Sequence, residues 1–234
     1  MPSNSLPTVA GPRVHSAAFG TRQETRNTSM KNVGMWSAFG MFIVGVLYII
    51  TVAIGIYSAG FTKPIVDPIL GIMEVLTLAT APLLVILMSA IHLTASQDQK
   101  IHSLVALAFA ILVAGLTGAV HFVGLTVLRQ THMEGIEWPS IIYAVELLAW
   151  DIFLGLSLLF SAPVFQGGGL RRKIRIGLII VGSLCLIGVL VPLTGNMRLQ
   201  FVSVLGYGVL LPVVWFMIAK YFQQFEGIHS GKAP

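Results

Sequence analysis

The chain reads as a series of long apolar runs separated by short polar breaks. A helix needs about 20 mainly apolar residues to cross the hydrocarbon core of a bilayer. Six stretches meet that length: 33–57, 69–93, 101–128, 138–164, 174–193 and 199–222. The breaks between them are brief, so successive spans are expected to pack antiparallel, and no room is left for a second domain. The expected fold is an all-α polytopic transmembrane bundle of six spans. Pro82, Pro192 and Pro212 fall inside spans, where kinks are tolerated. Pro163 sits at the end of one span, and Pro139 is expected in the first turn of the fourth. Residues 1–32 contain Pro2, Pro7, Pro12 and many Ser and Thr, and read as a disordered tail. Residues 223–234 read as a second, short tail.

Composition agrees with this pattern. Of 234 residues, 56% are hydrophobic and 10% charged, with mean hydropathy +0.87. Soluble domains carry about 25% charged residues. A chain this short leaves too much surface for water to cover at such hydrophobicity, so lipid is its expected surrounding. The net charge of +5 is read as lipid-facing, because no soluble basic domain exists to hold nucleic acid. Its placement sets an orientation. With six spans, both tails and the second and fourth loops share one side, where Arg13, Arg22, Arg26, Lys31, Lys100, Arg171, Arg172, Lys173, Arg175, Lys220 and Lys232 lie. Lys63, Arg129 and Arg198 lie opposite. Eleven basic residues against three predict cytoplasmic termini. Trp36, Tyr57, Trp138, Trp215 and Tyr221 fall near expected interfaces. The N-terminal region has no secretory h-region, and no lipidation motif is visible. The single cysteine, Cys185, rules out an intramolecular disulfide and reads as a small buried hydrophobe.

Ionisable groups at bilayer depth are expensive and mark candidate function. Glu74, His121, Glu146 and Asp151 qualify. At 1.5 Å per residue, Glu74 and His121 fall about 8–10 Å below the outer boundary, Glu146 about 12 Å, and Asp151 near the midplane. His121 shares a helical face with Ala114, Thr117, Gly118 and Gly124, a small-residue stripe expected to let a helix approach closely. Glu74 lines up with Thr77 and Ala81, and Glu146 with Tyr143 and Trp150; Asp151 points about 140° away from Glu146. Glu74, His121 and Glu146 are therefore candidates for one polar site, with Asp151 below it, able to relay protons, hold an ion or recognise a cationic group. The competing readings are interhelical glue and, for Glu74 above all, snorkelling to the interface.

His92 and His102 flank the short loop 94–100 and are weak candidates for a bis-histidine haem; two interfacial histidines are the simpler reading. No cofactor and no metal site is expected. No span carries a mid-membrane lysine for a Schiff base, and nucleophile-elbow, zinc-helix and phosphate-loop patterns are absent from the sequence. Gly167-Gly168-Gly169 reads as a flexible lead into Arg171-Arg172-Lys173.

Glu74 and Glu146 each precede a Ser-Ala pair by fifteen residues, then a basic residue with isoleucine, then Leu-Thr-Gly. Spans two–three and four–five thus read as a possible duplicated hairpin. Ala119-Val120-His121-Phe122-Val123, Trp138-Pro139-Ser140, Ala149-Trp150-Asp151, Phe160-Ser161-Ala162-Pro163-Val164-Phe165 and Gly195-Asn196-Met197-Arg198 add a likeness. On these motifs the stretch from Glu74 through Tyr221, about two-thirds of the chain, resembles a group of bacterial six-span membrane proteins without an assigned activity. The resemblance implies a bacterial cytoplasmic membrane and brings no catalytic residues.

The leading expectation is a small proton- or ion-coupled transporter, channel-like or sensing protein. The alternatives are an accessory subunit held together by its buried acids, and a membrane-embedded redox or metal enzyme. Expected partners are the lipid bilayer, a small molecule or ion, and a second copy or a membrane subunit.

Overall fold

The structure, a computed structural model, describes the backbone of residues 13–60, 63–131, 139–195 and 200–224, with side chains from Thr28 onward. Residues 1–12, Trp138, Arg198 and the C-terminal tail from Phe225 lie outside the described residues. Helices dominate, and no strand occurs among the described residues. Six helices are long and apolar enough to cross a membrane. We label them α1 (Arg13–Ala59), α2 (Ile69–Thr94), α3 (Gln97–Thr131), α4 (Ile141–Val164), α5 (Gly169–Thr194) and α6 (Gln200–Gln223). The chain is a polytopic transmembrane helical bundle.

Three boundaries differ from the sequence reading. Helix α1 begins at Arg13, inside the stretch read as a disordered tail. No proline follows Pro12 there, Ala, Arg, Gln and Glu favour helix, and extending an existing helix avoids the cost of a new nucleus. Helix α4 begins at Ile141 because the Ser140 side chain accepts a 3.1 Å hydrogen bond from the Tyr143 amide. Ser140 is thus the N-cap, and Pro139 precedes the cap instead of entering the first turn. Helix α5 begins at Gly169, whose φ of 60° is open to glycine. The basic cluster Arg171-Arg172-Lys173 therefore belongs to the opening turns of that helix.

The helices pack in a ring. Each contacts its neighbours in sequence, and α6 closes back on α1. Leu84, Leu87, Met88 and Ile91 from α2 meet Leu158, Leu178, Ile218 and Phe222 in one buried core. That core fills the end of the ring nearest the loop between α2 and α3. Large apolar side chains such as Ile50, Ile54, Ile101, Leu104 and Val213 point outward, as a lipid-facing belt requires.

Close helix approach occurs at other glycines than expected. A Cβ on Gly118 would meet nothing within 4 Å, so no neighbouring helix presses on α3 at that position. Backbones converge at Gly155 of α4 and Gly182 of α5, where a Cβ on Gly155 would lie 3.0 Å from the Gly182 carbonyl oxygen. Among the described residues three helices contain a π-helical turn: Gly124–Leu128 in α3, Leu148–Leu154 in α4 and Leu205–Leu210 in α6. Such turns re-aim side chains and recur at functional sites.

Candidate functional site

At the end of the ring opposite the apolar core, a cavity of about 310 Å³ opens between α1, α2, α3, α4 and α6. Glu74, His121 and Glu146 all line it. The three groups placed at similar depth by the sequence thus come together from three helices. Tyr143, Trp150 and Leu154 line it from the same face of α4 as Glu146. Tyr48 enters from α1, and Gln200 and Tyr207 from α6.

His121 and Glu146 form a direct pair, with 2.9 Å between Nε2 and Oε1. Both are largely buried, with side-chain exposure of 10% and 17%. The second imidazole nitrogen, Nδ1, and the second carboxylate oxygen, Oε2, have no hydrogen bond among the described residues. An imidazole hydrogen-bonded to a carboxylate can take up or release a proton, and each such event changes the charge on the cavity wall by one.

Glu74 is 2% exposed and is met by Arg129, whose guanidinium Nη1 donates to Glu74 Oε2. Arg129 is held by a further set of acceptors. Its Nε and Nη2 donate to the two carboxylate oxygens of Asp67 at 2.8 and 2.7 Å, and Nη1 also donates to the Gly124 carbonyl at 2.6 Å. Asp67 Oδ1 in turn accepts from the Gly71 amide at the start of α2. Gly71 leaves room for this arrangement, since a Cβ there would lie 3.1 Å from Arg129 Nη2. Hydrogen bonding to the guanidinium holds the Asp67 carboxyl below its ordinary range. Glu74 therefore does not stand alone at an interface. An arginine at the end of α3 reaches back to it, and Arg129 itself is not part of the cavity wall.

Asp151 lies apart from the other three. It is 1% exposed and does not line the cavity. Its carboxylate fits against Gly188 of α5, where a Cβ would come within 2.6 Å of it. Gln200 and Ser203 of α6 are its polar neighbours. The Ser203 hydroxyl also reaches the Gln200 carbonyl, at 3.1 Å.

His92 and His102 have different surroundings. His92 Nδ1 pairs with the Ser103 hydroxyl at 2.8 Å, while its carbonyl accepts from Lys100 Nζ. The His102 ring lies 6.4 Å from the Phe160 ring. No group of three or more His, Cys, Asp or Glu is placed to hold a metal ion among the described residues.

The sequence reading missed Arg129, Asp67, Tyr48, Gln200 and Tyr207. For Arg129 and Asp67 a signal existed. The turn between α2 and α3 centres near Gln97, and the two residues lie at similar distances before and after it. An antiparallel hairpin therefore brings them level. The supposed hairpin duplication did not lead to these partners: Glu74 and Glu146 are both paired by α3, one through Arg129 and one through His121.

Fold and site together define a multi-pass helical membrane protein with a largely apolar cavity between its helices that carries three ionisable side chains. Comparison of the chain with protein-family models, with curated proteins and with solved structures gave no match.

Proposed function

We propose that the protein is a small carrier or sensor that binds a small molecule or ion in this cavity and responds to protons through the His121–Glu146 pair. The observation that carries the reading is convergence. Ionisable residues from α2, α3 and α4 line a single cavity, although burying such groups is costly unless they are used or paired. The pair sits on the cavity wall, so its protonation and the occupancy of the cavity act on each other. The eleven-to-three bias of basic residues supports cytoplasmic termini, and the resemblance noted above supports a bacterial inner membrane.

The test is proton flux in pyranine-loaded proteoliposomes under an imposed pH gradient, with wild type, Glu146→Gln and His121→Gln. Both variants are expected to fold, insert and lose the pH response. If both behave as wild type, the carrier reading is wrong.

A second reading, an accessory subunit, is favoured by Asp151 and Arg129. Asp151 is enclosed between α4, α5 and α6 away from the cavity, and Arg129 ties α3 to the start of α2. Such groups hold helices in place. Under this reading Asp151→Asn lowers thermal stability without changing flux, and a membrane partner co-purifies.

A further inference from the structure

We infer that the cavity takes a small organic cation, with an ammonium head on a compact apolar or aromatic body. The inference rests on the proposed binding role of the cavity and adds the chemical class of its ligand. The volume, about 310 Å³, lies at the lower end of pockets that enclose small molecules, about 300–1,000 Å³.

Charge selects the head group. Among the described residues the wall carries two acids and one imidazole, and no lysine or arginine lines it. Arg129 stands behind Glu74 with its donors already given to Asp67, Glu74 and Gly124. Among the described residues an anion entering the cavity would meet the two carboxylates first, with Arg129 lying behind one of them. Glu74 Oε1, Glu146 Oε2 and Gln200 Oε1 accept no hydrogen bond among the described residues. Trp150 Nε1 and His121 Nδ1 on the same wall also lack a partner among the described residues, and the three oxygens remain acceptors in need of donors. A protonated amine supplies the donors they lack, and a neutral apolar ligand leaves them unpaired. All three oxygens are covered by neighbouring atoms, so binding includes a rotation of the side chains that carry them.

The remaining wall selects the body. Tyr48, Trp150 and Tyr207 bring aromatic surface to the cavity, and the Trp150 and Tyr207 rings lie 5.2 Å apart. Aromatic faces attract ammonium groups most strongly when both are removed from water. Met41, Met73 and Leu84 complete an adaptable apolar lining. A bare metal ion would leave this surface unused, and among the described residues no group of three or more His, Cys, Asp or Glu is placed to hold one.

The experiment is a binding titration on the full chain in nanodiscs, read by tryptophan fluorescence because Trp150 and Trp215 line the cavity. Three probes of similar size differ in charge: protonated 2-phenylethylamine, 2-phenylethanol and phenylacetate. The amine is expected to bind saturably, at least about tenfold more tightly than the other two. Glu146→Gln should weaken the amine about tenfold or more, while Glu146→Asp, which keeps the charge, stays within about threefold. If phenylacetate or 2-phenylethanol binds as tightly as the amine, the cation assignment falls while the cavity remains a binding site. If none of the three gives a saturable signal, both readings fall. An amine affinity unchanged in Glu146→Gln, or reduced equally in both variants, overturns the role given to the carboxylate charge.

Discussion

Replacing Arg129 with glutamine should destabilise the bundle more than any other single change at this end of the ring. Two carboxylates depend on the guanidinium, and they differ sharply in environment. Asp67 has a side-chain exposure of 51%, Glu74 of 2%. Exposed ion pairs contribute about 0–1 kcal/mol, so losing the Asp67 contact costs little despite its bidentate geometry. Glu74 is buried, and Arg129 is the cation paired with it among the described residues. Removing one partner of a buried pair costs about 3–5 kcal/mol, because the charge left behind is unpaired. Glu74→Gln removes the buried charge and leaves Arg129 with Asp67 and the Gly124 carbonyl, so it should cost about 1–3 kcal/mol. The double variant Arg129→Gln/Glu74→Gln strands no charge and should be more stable than Arg129→Gln alone. On the scale of soluble domains of this length, about 1 kcal/mol shifts Tm by about 2–4 °C. Arg129→Gln should therefore lower Tm by about 6–20 °C, and adding Glu74→Gln should restore part of the loss. Thermal unfolding of the four proteins in one detergent at pH 8, where a stranded Glu74 gains least from protonation, measures this. A Tm for Arg129→Gln within about 2 °C of wild type, or a double variant below the single one, would refute the assignment of Glu74 as a buried charge neutralised by Arg129.

Three further predictions follow from the same geometry. Gly188→Ala places a methyl group within 2.6 Å of the Asp151 carboxylate and should cost about 1–3 kcal/mol by overpacking; pairing it with Asp151→Ala should recover stability, and a double-mutant cycle in detergent checks the coupling. Ser140→Ala removes the cap of α4 and should cost about 0.5–2 kcal/mol, read as earlier proteolysis or faster amide exchange at residues 141–144. The depressed Asp67 carboxyl contributes stability that is complete above the ordinary aspartate value of about 3.9 and disappears as pH falls through its lowered value. Wild type and Asp67→Asn should therefore differ in stability at pH 6 and converge in strong acid, and a difference that grows with acidification would contradict the ion pair.

Much of the fold was legible because lipid makes few demands and makes them everywhere. Each span needs length and apolarity, and 69–93 or 199–222 could be read off directly. The polar positions were legible for a related reason, since Glu74, His121 and Glu146 stand out against an apolar background. Their partners were harder to find. Arg129 was counted as a loop charge, because a basic residue at a span end is normally spent on orientation. Its reach back to Glu74 uses a long side chain that follows directly on a π-helical turn, and neither leaves a periodic trace. Tyr48, Tyr207 and Gln200 could not be told from interface or packing residues until the ring closure of α6 on α1 turned them inward. Asp151 shows the converse. It is as conspicuous in sequence as Glu146, yet the fold places it against Gly188 on another face of the same helix.

Helix α1 carries a mechanical consequence. It runs without a break from Arg13 to Ala59, a rod of about 70 Å against a hydrocarbon core of about 30 Å. Met41, Val44, Gly45 and Tyr48 on this rod form one wall of the cavity, while its first turns extend well past the apolar segment that begins near Val33. A stiff element of that length does not confine a disturbance to the place where it is applied. Tilting or rotating the Arg13 end about the packed middle of the bundle swings Tyr48 relative to Glu146 and Tyr207. A change in the tilt of α1 therefore alters the width of the cavity.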